Sequence, residues 1–162
     1  MGSAKFTKEV AVLALVAAAD LSEKRGFLAK LSSGQAALND SASVPAFGVI
    51  LDGETTGGMV SVGVLGGNLG TVKLKAGGTI TLGAKLQQKS DGTVIVDDAA
   101  TARVIVGIAL EAAVVDELFE AIVCFPNKVP ALVATSDASD LATAVALANA
   151  LKVALNLETA GE

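Results

Sequence analysis

The sequence predicts a mainly β fold: a small β-barrel or β-sandwich built from two tandem repeats of one β unit, plus a C-terminal helix. Three observations predict it. Between residues 25 and 126, short runs rich in Val, Ile, Leu and Thr recur at 44–51, 59–65, 71–75, 79–82, 93–96, 103–110 and 118–125. Several alternate with period two, the pattern of strands with one face buried. Seventeen glycines punctuate the chain, and in Asp52-Gly53 and Asp91-Gly92 the glycine can take the positive φ that tight hairpin turns require. Finally, the text of the β region repeats itself.

At the N-terminus, residues 10–19 form one apolar run preceded by Lys5 and Lys8. Ala17-Ala18-Ala19 resembles a small-residue cleavage site, so a signal peptide and an exported β protein are one reading. Glu9 abuts the run, however, and half of the run is alanine. As a helix it would reach about 15 Å, half of the ~30 Å of a bilayer core. An N-terminal arm or strand that docks on something is the preferred reading.

The first repeat runs from Gly26-Phe27-Leu28-Ala29-Lys30-Leu31 and Ser33-Gly34 through Ala46-Phe47-Gly48-Val49-Ile50-Leu51 to Met59-Val60-Ser61-Val62. Its counterpart, 57 to 59 residues on, is Gly83-Ala84-Lys85-Leu86, Asp91-Gly92, Ile105-Val106-Gly107-Ile108-Ala109-Leu110 and Leu118-Phe119-Glu120-Ala121-Ile122. Gly48 and Gly107 lie mid-strand, where glycine weakens a strand; a barrel corner, a bulge or the close approach of another backbone gives such a residue its reason. The resulting organisation is an arm over 1–25, a first β repeat over 26–70, a second over 71–128 and a helical segment over 129–162.

In that last segment, 136–158 has helical periodicity. Leu141, Ala144, Ala148, Leu151 and Leu155 fall at a and d heptad positions, with Ser136 or Ser139 as cap and Asp137 and Asp140 near the start. So apolar a helix either packs on its own chain or pairs with copies of itself.

Chemistry is scarce. The chain has no His, so it can build neither a Ser-His-Asp triad nor an imidazole metal site. A lone Cys124 makes no intramolecular disulfide and no thiolate zinc site, and within an apolar run it is expected to be buried and inert. A net charge of −5 with 3% aromatic residues argues against nucleic-acid binding. The glycine-rich 63–70 lacks the Lys-Ser/Thr ending of a phosphate loop and reads as a linker. Asp97-Asp98 reads as a solvated acid pair without further ligands at EF-hand spacing. Glu111, Asp116, Glu117 and Glu120 cluster in sequence, but Glu117 and Glu120 straddle a strand start and should face opposite ways. No catalytic, cofactor-binding or metal-ligating residue is expected, and an enzyme relying on carboxylates alone is the weakest reading.

The run Ala17-Ala18-Ala19-Asp20-Leu21-Ser22-Glu23-Lys24-Arg25-Gly26 resembles the capsid decoration, or cement, proteins of tailed bacteriophages. So does Val104-Ile105-Val106-Gly107-Ile108-Ala109-Leu110-Glu111-Ala112-Ala113 leading into Asp116-Glu117-Leu118-Phe119-Glu120-Ala121-Ile122. The tail, from Asp137-Ala138-Ser139-Asp140-Leu141 to Asn149-Ala150-Leu151-Lys152, is similar to helical ends of phage head-fibre and decoration proteins. The likeness covers about residues 17 to 156. It implies a structural virion protein without catalysis or cofactor, barrel-like, on the capsid surface. Its implied partners are the major capsid protein of an HK97-type shell and its own copies, as a homotrimer, with neither nucleic acid nor membrane. Two β copies in one chain depart from the simplest members and leave open whether the seats are trimeric. The arm, over 3–16, and the barrel rim are the expected shell contact, the arm by adding a strand to a capsid subunit.

Overall fold

The computed structural model describes residues 12–66, 70–99 and 102–130, together with Ala146 and Asn149. Ten strands lie among the described residues: β1 (Val12–Val16), β2 (Leu28–Ser32), β3 (Gln35–Leu38), β4 (Gly48–Asp52), β5 (Met59–Val64), β6 (Thr71–Lys75), β7 (Lys85–Gln88), β8 (Val94–Val96), β9 (Arg103–Ala109) and β10 (Leu118–Val129). They form two antiparallel five-stranded sheets, ordered β1-β5-β4-β2-β3 and β6-β10-β9-β7-β8.

The second order is the first with five added to every strand number. Registers follow suit. Val16 stands opposite Met59 as Lys75 stands opposite Leu118, and Ala29 opposite Gly48 as Leu86 opposite Gly107. Connecting loops repeat as well: Leu21 N–H donates to the Glu54 carbonyl, and Ile80 N–H to that of Ala113. We call the two sheets, with their loops, the first and second modules.

Neither sheet is a closed barrel. In each, the two edges touch at a single parallel bridge, Ala17–Ala36 and Ala76–Val94, and the chain then turns away. In the first module that turn is held by Asp20, whose carboxylate accepts from the Ser22 N–H and hydroxyl. The single barrel or sandwich expected from sequence is therefore two open, curled sheets.

In the N-terminal segment residues 12–16 are a docked strand: β1 pairs along its whole length with β5, while Ala17 and Leu21 are buried. Two further expectations are corrected. Residues 79–82 have strand composition, but only Ile80 pairs, through one bridge to Ala113, and the strand begins at Lys85. β10 runs past Pro126 to Val129, because the proline sits in a register shift between Val123 and Asn127, where its missing N–H breaks no ladder bond. The helix expected over 136–158 lies outside the described residues except for Ala146 and Asn149, both helical and exposed.

The core has two parts. Ala17, Leu21, Ala29, Ala36, Ile50, Val60 and Val62 fill the first module. The second module's residues, among them Leu74, Leu86, Val106 and Phe119, pack with Leu28, Ala46, Val49 and Leu65 of the first. One face of the first sheet is thus covered by the second module, with β4 supplying both sides: Ile50 inward, Val49 outward.

Gly48 and Gly107 owe their identity to close backbone approach. A Cβ on Gly48 would lie 2.7 Å from the Gly63 carbonyl oxygen, and one on Gly107 would collide with the carbonyl oxygen of Ile122. The two carbonyls hold equivalent places in β5 and β10. Gly107→Ala must push two paired strands apart and is expected to cost about 2 kcal/mol. Chemical denaturation should show a lower midpoint with unchanged slope.

Candidate interaction surface

The acidic residues singled out in the sequence are structural. Asp97 is clasped by Arg103, whose Nε and Nη2 both donate to it, the latter at 3.3 Å. The Arg103 guanidinium holds the Asp97 carboxyl below the usual carboxylate range, helped by the Ala99 N–H and opposed by burial. Asp97 is therefore not half of a solvated pair. Glu111 accepts from Lys73 Nζ at 2.7 Å and from the Glu120 N–H at 2.8 Å. The Lys73 contact, with that N–H, lowers its carboxyl. Glu120 accepts from the Thr71 hydroxyl at 2.5 Å, and Glu117 from the Val114 N–H at 3.0 Å. These carboxylates point at separate partners and do not converge on a cleft. Among the described residues, no three His, Cys, Asp or Glu side chains stand together to hold a metal ion.

Cys124 is exposed, not buried. Phe119, Ala121 and Val123 alternate inward along β10, so residue 124 falls on the outer face.

A different feature emerges when the two modules are compared position by position. The loops β6–β7 and β9–β10 lie at one end of the second sheet and enclose an open groove of about 400 Å³. Thr79, Ile80, Thr81, Ala112, Ala113, Val114 and Glu117 line it. Around it stand Leu82, 71% exposed, Val114, 56%, and Val115, 57%. Gly83 and Asp116 fix the correspondence, since both have positive φ, as do Gly26 and Gly57 at the same places in the first module. The first module therefore carries Arg25, Thr55 and Thr56 where the second carries Leu82, Val114 and Val115. Loops at equivalent places are polar in one copy and apolar in the other. Soluble surfaces seldom cluster large apolar side chains on loop tips unless something covers them.

Sequence reasoning named the rim but not these residues. Their signal was present in the repeat: the offset that pairs Gly26 with Gly83 also sets Arg25 against Leu82.

No family model matches the chain, and no curated protein does either. Among solved structures, the N base of the head fiber gp8.5 of bacteriophage phi29 has a similar fold. The TM-score is 0.52 at 19% identity, over 73% of this chain and 96% of that one. The chain shares its paired-sheet fold with the base of a phage head fiber.

Proposed function

We propose that this chain is a structural component of a tailed-phage particle, a decoration or fiber-base protein. It sits on the outside of an HK97-type capsid shell, binds the major capsid protein and reinforces the shell without catalysis. Copies act as a homotrimer. The apolar loop end of the second module, Leu82, Val114 and Val115, is the shell contact, and its polar counterpart on the first module faces solvent.

The observation that carries this reading is that asymmetry. Loops at equivalent ends of the two sheets differ where one must meet an apolar surface and the other water. The likeness in fold to a head-fiber base supports the setting. So does the small-residue, glycine-rich make-up, which favours tight main-chain packing over chemistry. The rim expected from sequence is kept in this reading. Strand donation by residues 3–16 is narrowed, because 12–16 already pair within the chain.

The exported-protein reading fits the structure less well. Cleavage after Ala19 would remove β1 and the buried Ala17, stripping the first sheet of an edge strand.

The test is co-sedimentation with purified shells in a density gradient, with copies per particle counted by quantitative mass spectrometry. The unaltered chain should band with the major shell protein in hundreds of copies. The double variant Leu82→Asp/Val115→Asp should fall at least tenfold in occupancy while melting within about 2 °C of the parent, since exposed substitutions cost little. Undiminished occupancy would move the contact elsewhere; absence of the parent chain from the particle band would end the proposal.

A further inference from the structure

The junction between the two modules is head-to-tail. The first module contributes the outer face of its β2-β4 region: Leu28 and Val49 side by side, with Gly26 at the edge. The second contributes a different face, made of the β6 backbone, the start of β10 and the β7–β8 turn. Two backbone bonds seal the contact, Lys75 N–H to the Gly26 carbonyl at 2.9 Å and Leu28 N–H to the Gly92 carbonyl at 2.7 Å. Both glycines are tightly enclosed. A Cβ on Gly92 would lie 2.6 Å from Leu38 Cδ1, and one on Gly26 would collide with Leu118.

A heterologous contact inside a duplicated chain leaves one unused face at each end. On the second module, the face equivalent to the covered one comprises Gly83, Lys85, Ile108, Leu110 and Cys124. Ile108 takes the place of Val49, and Lys85 that of Leu28, by strand register. Val49 is fully buried, whereas Ile108 is 45% exposed. On the first module, the unused face comprises Ala14, Val16, Leu31, Gly34 and Met59. Met59 takes the place of Leu118 and is 58% exposed; Leu31 is exposed too. Gly34 and Gly83, the counterparts of the enclosed Gly92 and Gly26, have nothing within 4 Å of a built Cβ. The two open faces are complementary by position: each matches one half of a junction that the chain already makes.

We infer that a second copy of this chain occupies the open face of the second module, docking its first module there in the arrangement that joins the modules internally. The next copy's Met59 lies against Gly83, and its Val16 N–H and Gly34 carbonyl meet the Gly83 carbonyl and the Lys85 N–H. Lys85, where the internal junction has leucine, lays its methylene stem along the seam and keeps its ammonium in water. That makes this contact more reversible than the internal one. A heterologous contact that repeats either closes a ring or grows a filament, and the inference specifies how the copies of the proposed trimer meet.

The experiment uses the full chain and three measurements of mass by sedimentation velocity. The parent is expected to be oligomeric, and Ile108→Asp and Met59→Asp are each expected to sediment as a monomer of 16.0 kDa. Both sites are exposed in the single chain, so each variant should remain folded, losing only the stabilisation that association gives the parent. Mixing the two variants is the decisive arm. Each retains one sound face, so the mixture should give a dimer of twice the monomer mass and nothing larger. A symmetric face-to-face contact cannot do this. A monomeric parent, parental mass in both variants (as when residues 136–158 carry association) or no dimer in the mixture would each overturn the inference. A monomeric parent would also remove the homotrimer from the proposed function, whereas binding to the shell is read independently by banding in the density gradient.

Discussion

Gln88→Glu is expected to be among the most damaging single changes in the chain, and its damage should depend on pH. Gln88 sits at the end of β7 with 2% exposure, and its amide joins the second module to the loop of the first. Its Nε2 donates to the Ser41 carbonyl at 2.7 Å and to the Val44 carbonyl at 2.6 Å, while its Oε1 accepts from the Ala46 N–H at 3.0 Å. Two acceptors and one donor are met by the one side chain that offers two donors and an acceptor in that geometry. A carboxylate in its place faces two carbonyl oxygens with no proton to give, and must lose its hydration too. The cost should be on the order of 4 kcal/mol at pH 7, combining unmet buried partners with a desolvated charge. Burial and the carbonyls both raise the new carboxyl's folded pKa above its unfolded value. The protonated form is therefore the one that folding favours, and the deficit shrinks as pH falls through that raised pKa. Urea unfolding at pH 7.5 and pH 5 should show the gap to the parent closing at the lower pH. Gln88→Leu, which cannot titrate, should lose about 3 kcal/mol at both. Equal gaps for Gln88→Glu at the two pH values would mean that water reaches the site and the clasp is not dry.

Nothing in the sequence marks Gln88 as an interior residue, and this shows where sequence reading stops. Period-two alternation found the strands at β5, β6, β9 and β10, because Val, Ile and Leu there alternate with exposed residues. It missed β3, since Gln35-Ala36-Ala37 has neither branched nor aromatic side chains and is held by its neighbour β2 and one bridge from Ala36 to Ala17. Ile80 misled in the opposite sense: its burial is supplied by a loop bridge, not by a ladder. β1 was legible as an arm or strand that docks on something, and only its register with β5 shows that it docks within its own chain. The mid-strand glycines were legible as positions needing a reason, and close backbone approach was among the reasons offered. Which one held depended on a carbonyl fifteen residues away in sequence. The apolar loop tips became visible only once strand registers fixed which residues of the two modules correspond, for the loops themselves obey no periodicity.

Asp97→Asn is the second change expected to have a large effect, and its pH dependence runs the other way. Arg103, at the start of β9, is nearly buried and lays its guanidinium across both carboxylate oxygens of Asp97; its Nη1 also reaches the Pro130 carbonyl at 3.3 Å. The pair thus ties the end of β8 to the start of β9 and the far end of β10. Removing the acid leaves a guanidinium in a site built for an ion pair, and the expected loss is about 3 kcal/mol near neutral pH. In the folded protein the Asp97 carboxyl titrates below its usual range, because Arg103 hydrogen-bonds its charged form. Its stabilisation is then complete above the unfolded value of about 3.9 and disappears as pH falls through the lower folded value. The parent should lose its advantage over Asp97→Asn between about pH 4 and pH 2, whereas the asparagine variant has no such acid-linked loss at this site. Thermal unfolding at pH 7, 5 and 3 separates the alternatives: equal gaps at pH 7 and 5 that narrow at pH 3 support the pair. A gap that persists at pH 3 would assign the loss to packing around the side chain and not to the carboxylate's charge.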